Sequence, residues 1–342
     1  MPWPPVAARW LPTSSPYALS PIRRNSMLLA QFAEPELSIL FTGLLTTWLF
    51  AIGACVGSFL NVVVYRTPAG LSIAHPPSHC PHCQQQIRRQ DNIPIYSWLA
   101  LRGNCRHCAA PISVRYLLVE LLVAITFTVL ALFEGTTNGS NLPGTAEQFS
   151  SFSPTIWIVY GNQVFLLSTL WCIALIEFDQ QRVPKQLGIP CLLVAGISMA
   201  IIPDFCPQNS GIDFQFSWQL NNLATGILGA ATGALLGWIL ESLLRAGSAR
   251  VAQPGSWILA ATLSGWVLGW QATLVLLVST GLLLSIGICV RVLTRGSLTI
   301  TSDKAPTVPS WSPLTFPPTC WLIILAPLVI VTWKLWASWF SL

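Results

Sequence analysis

Cys80, Cys83, Cys105 and Cys108 have the residue type and spacing for metal chemistry: they form two C-x-x-C pairs, CPHC and CRHC. Each pair offers two thiolates from one tight turn, and two pairs about twenty residues apart close a tetrahedral shell around Zn²⁺. The spacing therefore predicts a structural four-cysteine zinc site. His82 and His107 lie inside the pairs as alternative ligands, but four thiolates already satisfy the ion. Two disulfides would need an oxidising compartment, and a redox C-x-x-C would not need two copies. Four thiolates around Zn²⁺ leave a charge of about −2, which Arg88, Arg89, Arg102 and Arg106 are close enough in sequence to offset. The other cysteines lie in apolar stretches, apart from Cys206, which stands alone in a loop.

The elements around this site belong to a membrane. The chain has 342 residues, of which 8% are charged and 53% hydrophobic, with 16 Trp and a mean hydropathy of +0.62. Soluble chains carry about 25% charge, so the composition excludes an ordinary soluble enzyme and a disordered chain. Apolar runs at 37–65, 117–133, 156–177, 186–202, 222–244, 257–270, 271–290 and 320–339 predict an all-α polytopic protein of about eight spans. The 66–116 segment between the first two is a small soluble module. At about fifty residues it is too short to build a core unaided, and a metal would supply the missing stability.

Charge orients the spans. The 66–116 segment holds Arg66, Arg88, Arg89, Arg102, Arg106 and Arg115, whereas 134–155 and 203–221 contain no Lys or Arg. The positive-inside rule puts the cysteine module in the cytoplasm, with 178–185, 245–256 and 291–319 on the same side. Reading 257–290 as one span would move Arg291, Arg295 and Lys304 outside, so two spans are expected there. Residues 1–36 are rich in Pro and Ser and are expected to be a disordered extension, with Met27 as an alternative start to Met1. The remaining 117–342 form the membrane domain.

GSFLNVVVYR (57–66), the two cysteine pairs, DNIPIYSWLALRG (91–103) and ISVRYLLVELL (112–122) together resemble the amino-terminal half of bacterial prepilin peptidases. The resemblance implies a multi-pass protein of the bacterial inner membrane. Such enzymes remove the basic leader of type IV prepilins or type II secretion pseudopilins at the cytoplasmic face, then methylate the new amino terminus with S-adenosylmethionine. It implies prepilin or pseudopilin substrates, with pilus or secretion assembly proteins as further partners. Nothing points to a nucleic-acid partner.

The resemblance also implies two catalytic carboxylates at cytoplasmic span ends, one seven residues before a proline and one in a G-x-G-D-x-K-L pattern. Counting back from Pro184 gives Glu177 where the family has Asp, with Asp179 two residues on. Aligning PGSWILAATLSGWVLGW (254–270) puts Ser256 at the second aspartate. Ser256 does not ionise at neutral pH, so the second acid must come from elsewhere. Glu241 is the other acid at the right depth, and an ionisable residue in a span is a functional candidate. A replacement pair of Glu177 and Glu241 is one expectation, and an ion pair of Glu241 with Arg245 one turn on is the other. Three functions follow: a working peptidase and methyltransferase, a methyltransferase that has lost proteolysis, or a non-catalytic assembly component.

Overall fold

The computed structural model describes residues 21–137, 154–202, 217–246, 255–295 and 318–332, and every regular element among them is helical. In chain order these are α1 (Pro21–Arg66), α2 (Tyr96–Ala100), α3 (Val114–Thr137), α4 (Pro154–Phe178), α5 (Ile189–Ile201), α6 (Trp218–Ala246), α7 (Ser256–Arg295) and α8 (Pro318–Val331). Among the described residues, five stretches are long and apolar enough to cross a membrane: Leu40–Arg66, Val114–Glu134, Thr155–Phe178, Gln219–Leu243 and Ser256–Ile286. Shorter apolar helices cover Lys185–Ile201 and Thr319–Val331. The protein is thus an integral membrane protein with a small cysteine module between its first two long helices.

The chain divides into two compact units, Met1–Thr46 and Thr47–Leu342. In the first, helical backbone starts at Pro21, inside the extension that composition marks as disordered. Proline has its φ preset for a first helical position. The alternative start, Met27, falls within this helix, and residues 1–20 lie outside the described residues.

Within the second unit, α7 carries one non-helical residue, Gly269, at φ 81° and ψ 170°. A Cβ would strain that backbone, so glycine is required. The chain reverses there. Gly237 on α6 faces Trp257 and Ile258, and its neighbour Leu240 lies beside Gly281. A straight helix would separate residues 257 and 281 by about 36 Å, yet both sit at the level of one turn of α6. The two arms coincide with the apolar runs 257–270 and 271–290, and the reversal returns the second arm to the side on which Ser256 begins.

The first arm of α7 packs on α6 without side chains between the backbones. Gly229 faces Gly265, and Gly233 faces the carbonyl of Ala261, so that a Cβ on any of these glycines would collide with the opposite backbone. In a bilayer, small residues let helices gain dispersion contacts that lipid does not already provide. Gly265→Leu is expected to destabilise the pair by about 3 kcal/mol. Thermal unfolding of the detergent-solubilised protein measures this, and an unchanged midpoint would contradict the close approach.

Candidate functional site

The cysteine module is built from two copies of one turn. In the first, the amide of Gln84 donates to the carbonyl of Cys80 at 2.9 Å, and the Cys80 amide donates to Gln85 at 3.0 Å. In the second, the Ala109 amide donates to Cys105 at 2.9 Å and the Cys105 amide to Ala110 at 2.8 Å. The residue after each second cysteine takes a left-handed conformation, φ 58° at Gln84 and 54° at Ala109, and a bridge closes each turn, His79 to Gln86 and Asn104 to Pro111. This arrangement aims both thiols of each pair at one point.

The four Sγ atoms lie within 4.8 Å of one another, and Cys80 and Cys108 Sγ are 3.8 Å apart. All four cysteines are free rather than disulfide-bonded. Metal–sulfur bonds of 2.3 Å in a tetrahedron require sulfur separations of about 3.8 Å, so these residues fit Zn²⁺. Amides of Cys83 and His82 pull the Cys80 thiol down to about 6. Cys108, despite the Ala110 amide, is pushed up to about 11 by burial and the other three thiols, so binding a metal would displace protons from the cluster. His82 and His107 are not in the cluster. Arg106 is turned away from the sulfurs toward Asp91, which accepts three hydrogen bonds from it at 2.6–3.1 Å and is thereby held below the usual carboxylate range.

A second cluster forms where four helix ends meet. Near its end α4 carries Glu177, and the helix closes with Gln180 in the left-handed region. The amide of Gln180 returns to the carbonyl of Glu177 at 2.9 Å and that of Gln181 to Ile176 at 3.1 Å. These two bonds are a Schellman motif, and they place Glu177 in the last turn with its side chain inward, 1% exposed. The Ser256 hydroxyl, at the start of α7, donates to Glu177 Oε1 at 3.2 Å. The Thr319 hydroxyl, at the start of α8, donates to Oε2. A buried carboxylate needs such donors to offset lost hydration.

Glu241 completes the cluster from α6. It is 3% exposed, accepts from the Gly255 amide at 3.1 Å with both oxygens, and pairs with Arg245. Adjacent residues at the start of α7 hold the two acids, Gly255 binding Glu241 and Ser256 binding Glu177, so both carboxyls sit at one junction. The ion pair with Arg245 and the approach to Glu177 therefore occur together.

Asp179 is elsewhere. It takes both guanidinium nitrogens of Arg115 at 2.5 and 2.8 Å, and that guanidinium also lies over the ring of Phe178, 5.7 Å from its centroid. The pair ties the end of α4 to the start of α3. Glu177, Ser256 and Glu241 are thus brought together, and Asp179 is not. Thr319 belongs to the cluster without any signal in the sequence to announce it.

Residues 51–133 match the family profile of the bacterial peptidase A24 N-terminal domain. The chain is 36% identical over 198 residues to a prepilin leader peptidase/N-methyltransferase of Myxococcus xanthus, covering 58% of this chain and half of that relative. It is 31% identical over 258 residues to the protein of the same name from Pectobacterium carotovorum, covering 68% of this chain and 79% of the relative. A type 4 prepilin-like proteins leader peptide-processing enzyme of Escherichia coli is 49% identical over 98 residues, 23% of this chain and 36% of that one. No solved structure matches.

Proposed function

Because the chain belongs to the prepilin leader peptidase/N-methyltransferase family, we propose that it processes type IV prepilins or type II secretion pseudopilins at the cytoplasmic face of the bacterial inner membrane. The reaction is leader removal followed by N-methylation of the new amino terminus. The observation that supports proteolysis is that two buried carboxyls, Glu177 and Glu241, are held by the adjacent residues Ser256 and Gly255 at the junction of α4, α6, α7 and α8.

A pair of carboxyls that shares one proton can activate water for peptide hydrolysis. The ionised member takes a proton from water as the water attacks the scissile carbonyl, and the protonated member donates to the carbonyl oxygen as the tetrahedral adduct forms. When the adduct collapses, the proton goes to the departing amine. Ser256 and Thr319 hold the Glu177 carboxyl in one orientation, while Arg245 and the Gly255 amide hold Glu241. Cys80, Cys83, Cys105 and Cys108 would hold Zn²⁺ in a closed four-thiolate shell, which leaves no open position and so acts structurally. S-adenosylmethionine is the methyl donor this function requires.

A second reading has two specific supports: Ser256 stands where the family pattern has its second aspartate, and Arg245 neutralises Glu241. On that reading the protein methylates or binds already cleaved pilins. Incubating the membrane-embedded protein with a prepilin, and scoring cleavage and methyl transfer separately, decides between them. Glu241→Gln is expected to lower cleavage about 10²–10⁴-fold and to leave methylation of a pre-cleaved pilin intact. Full cleavage by Glu241→Gln removes Glu241 from the pair. Methylation by a wild type that never cleaves selects the second reading.

A further inference from the structure

The soluble-looking module exposes a group of large apolar side chains. Between Asn92 and Ala100, Ile93 is 48% exposed, Tyr96 63% and Leu99 56%. Tyr96 and Leu99 lie three apart on one face of α2, and Ile93 is exposed in the extended segment that leads into it. The polar residue among them points the other way. Ser97 is buried, and its hydroxyl accepts from the Ile93 amide at 2.9 Å and donates to the Gln90 carbonyl at 3.0 Å. In water this polarity is inverted, because a stripe of three large apolar groups is left wet while a hydroxyl serves the interior.

The depth of the stripe accounts for the inversion. The Ile95 amide donates to the Glu120 carboxylate at 2.7 Å. Glu120 lies six residues into α3, about 9 Å along its axis from Val114, where the apolar stretch begins. That bond draws the 93–99 segment back alongside the first turns of a membrane-crossing helix. Ile95 takes φ 63° and ψ −56° to make it, a backbone that a β-branched residue adopts only under constraint. Val114, Leu118 and Leu122 on α3 are themselves 44–52% exposed, as lipid-facing residues of a span must be. Three exposed arginines flank the stripe: Arg88, Arg89 and Arg102. Asp91, the acid of this module, is already paired with Arg106.

We propose that this segment is an interfacial membrane element: Ile93, Tyr96 and Leu99 insert into the headgroup–acyl boundary of an anionic phospholipid leaflet, and Arg88, Arg89 and Arg102 bind its headgroups. An amphipathic element at this depth buries its apolar side in lipid while its basic side meets negative headgroups. The cysteine module then rests on the bilayer, at a depth set by α3, instead of standing off it in water. The proposal is independent of which processing step the protein carries out.

A benzophenone amino acid placed at Tyr96 or Leu99 of the full chain, in vesicles of phosphatidylglycerol and phosphatidylethanolamine, tests it by mass spectrometry of the photoadducts. Leu118 serves as the lipid-facing reference and Gln85, exposed on a cysteine turn, as the water-facing one. Lipid adducts at Tyr96 and Leu99 are expected within about two-fold of Leu118 and at least about ten-fold above Gln85. Each of Arg88→Gln, Arg89→Gln and Arg102→Gln is expected to lower the phosphatidylglycerol preference of those adducts about five-fold. Yields at the Gln85 level, with Leu118 still labelling, overturn the proposal. So does transfer of the Tyr96 and Leu99 adducts from lipid to an added prepilin, which would make the stripe a peptide-docking face.

Discussion

Glu177→Gln is expected to lower leader cleavage by about 10³-fold or more and to leave metal binding and membrane insertion as in the wild type. The substitution keeps the volume and both hydrogen-bonding positions of a side chain that is 1% exposed, so packing among α4, α7 and α8 is preserved. What it removes is the ability to hold or release a proton. Ser256 and Thr319 both donate to the carboxylate, and an amide accepts through one atom only, so one donor loses its partner. That cost falls on stability, at about 1–3 kcal/mol, and is separable from the rate by thermal unfolding. Cleavage of a purified prepilin by reconstituted protein is the measurement, with methylation of a pre-cleaved pilin as its internal control. Wild-type cleavage by Glu177→Gln excludes Glu177 from the chemistry. Glu177→Asp combined with Ser256→Asp restores the two acids of the family pattern, and faster cleavage than wild type is the expected result.

The second large effect concerns the cysteines. Cys80→Ser or Cys105→Ser is expected to abolish stoichiometric zinc, because each turn supplies half of a shell whose sulfurs already lie within 4.8 Å of one another. Zinc bound by four thiolates contributes about 10–16 kcal/mol to a small domain at neutral pH, more than the few apolar contacts of 66–116 supply. Loss of the metal should therefore open the module to proteolysis between Arg66 and Val114 while the membrane helices remain protected. Elemental analysis of the purified protein, with limited trypsin digestion before and after chelation, checks both halves. Wild-type protein without stoichiometric metal would refute the zinc assignment.

What the sequence discloses depends on how far apart the cooperating residues lie. A C-x-x-C pair is legible because both ligands sit on one turn and two pairs suffice, and the structure places all four sulfurs together. The break in α7 is legible through charge: three basic residues beyond Cys289 would otherwise face the wrong side, and Gly269 supplies the reversal. Glu177 is found from its distance to Pro184 by likeness to a pattern. Thr319 escapes because its role depends on where α8 starts relative to α4, and a hydroxyl at a helix start has many other uses. The separate role of Asp179 is set by its pairing with Arg115, 64 residues earlier. The inverted polarity of 93–99 is likewise hidden, since its hydrophobicity pattern suits a small core equally well and only Glu120 shows where the segment rests.

The hydrogen bonds to Glu177 span 79 residues to Ser256 and 142 to Thr319. Synthesis at about 5–20 residues per second puts roughly 7–30 s between the emergence of the carboxyl and that of its last partner. During that interval the nascent chain holds a carboxyl that lacks both donors until Ser256 is made and one of them until Thr319 is made, inside a bundle without α8. Site assembly is therefore a late event in biogenesis, and a ribosome stalled before α8 leaves a membrane-inserted protein whose cysteine module is complete and whose carboxyl cluster is not.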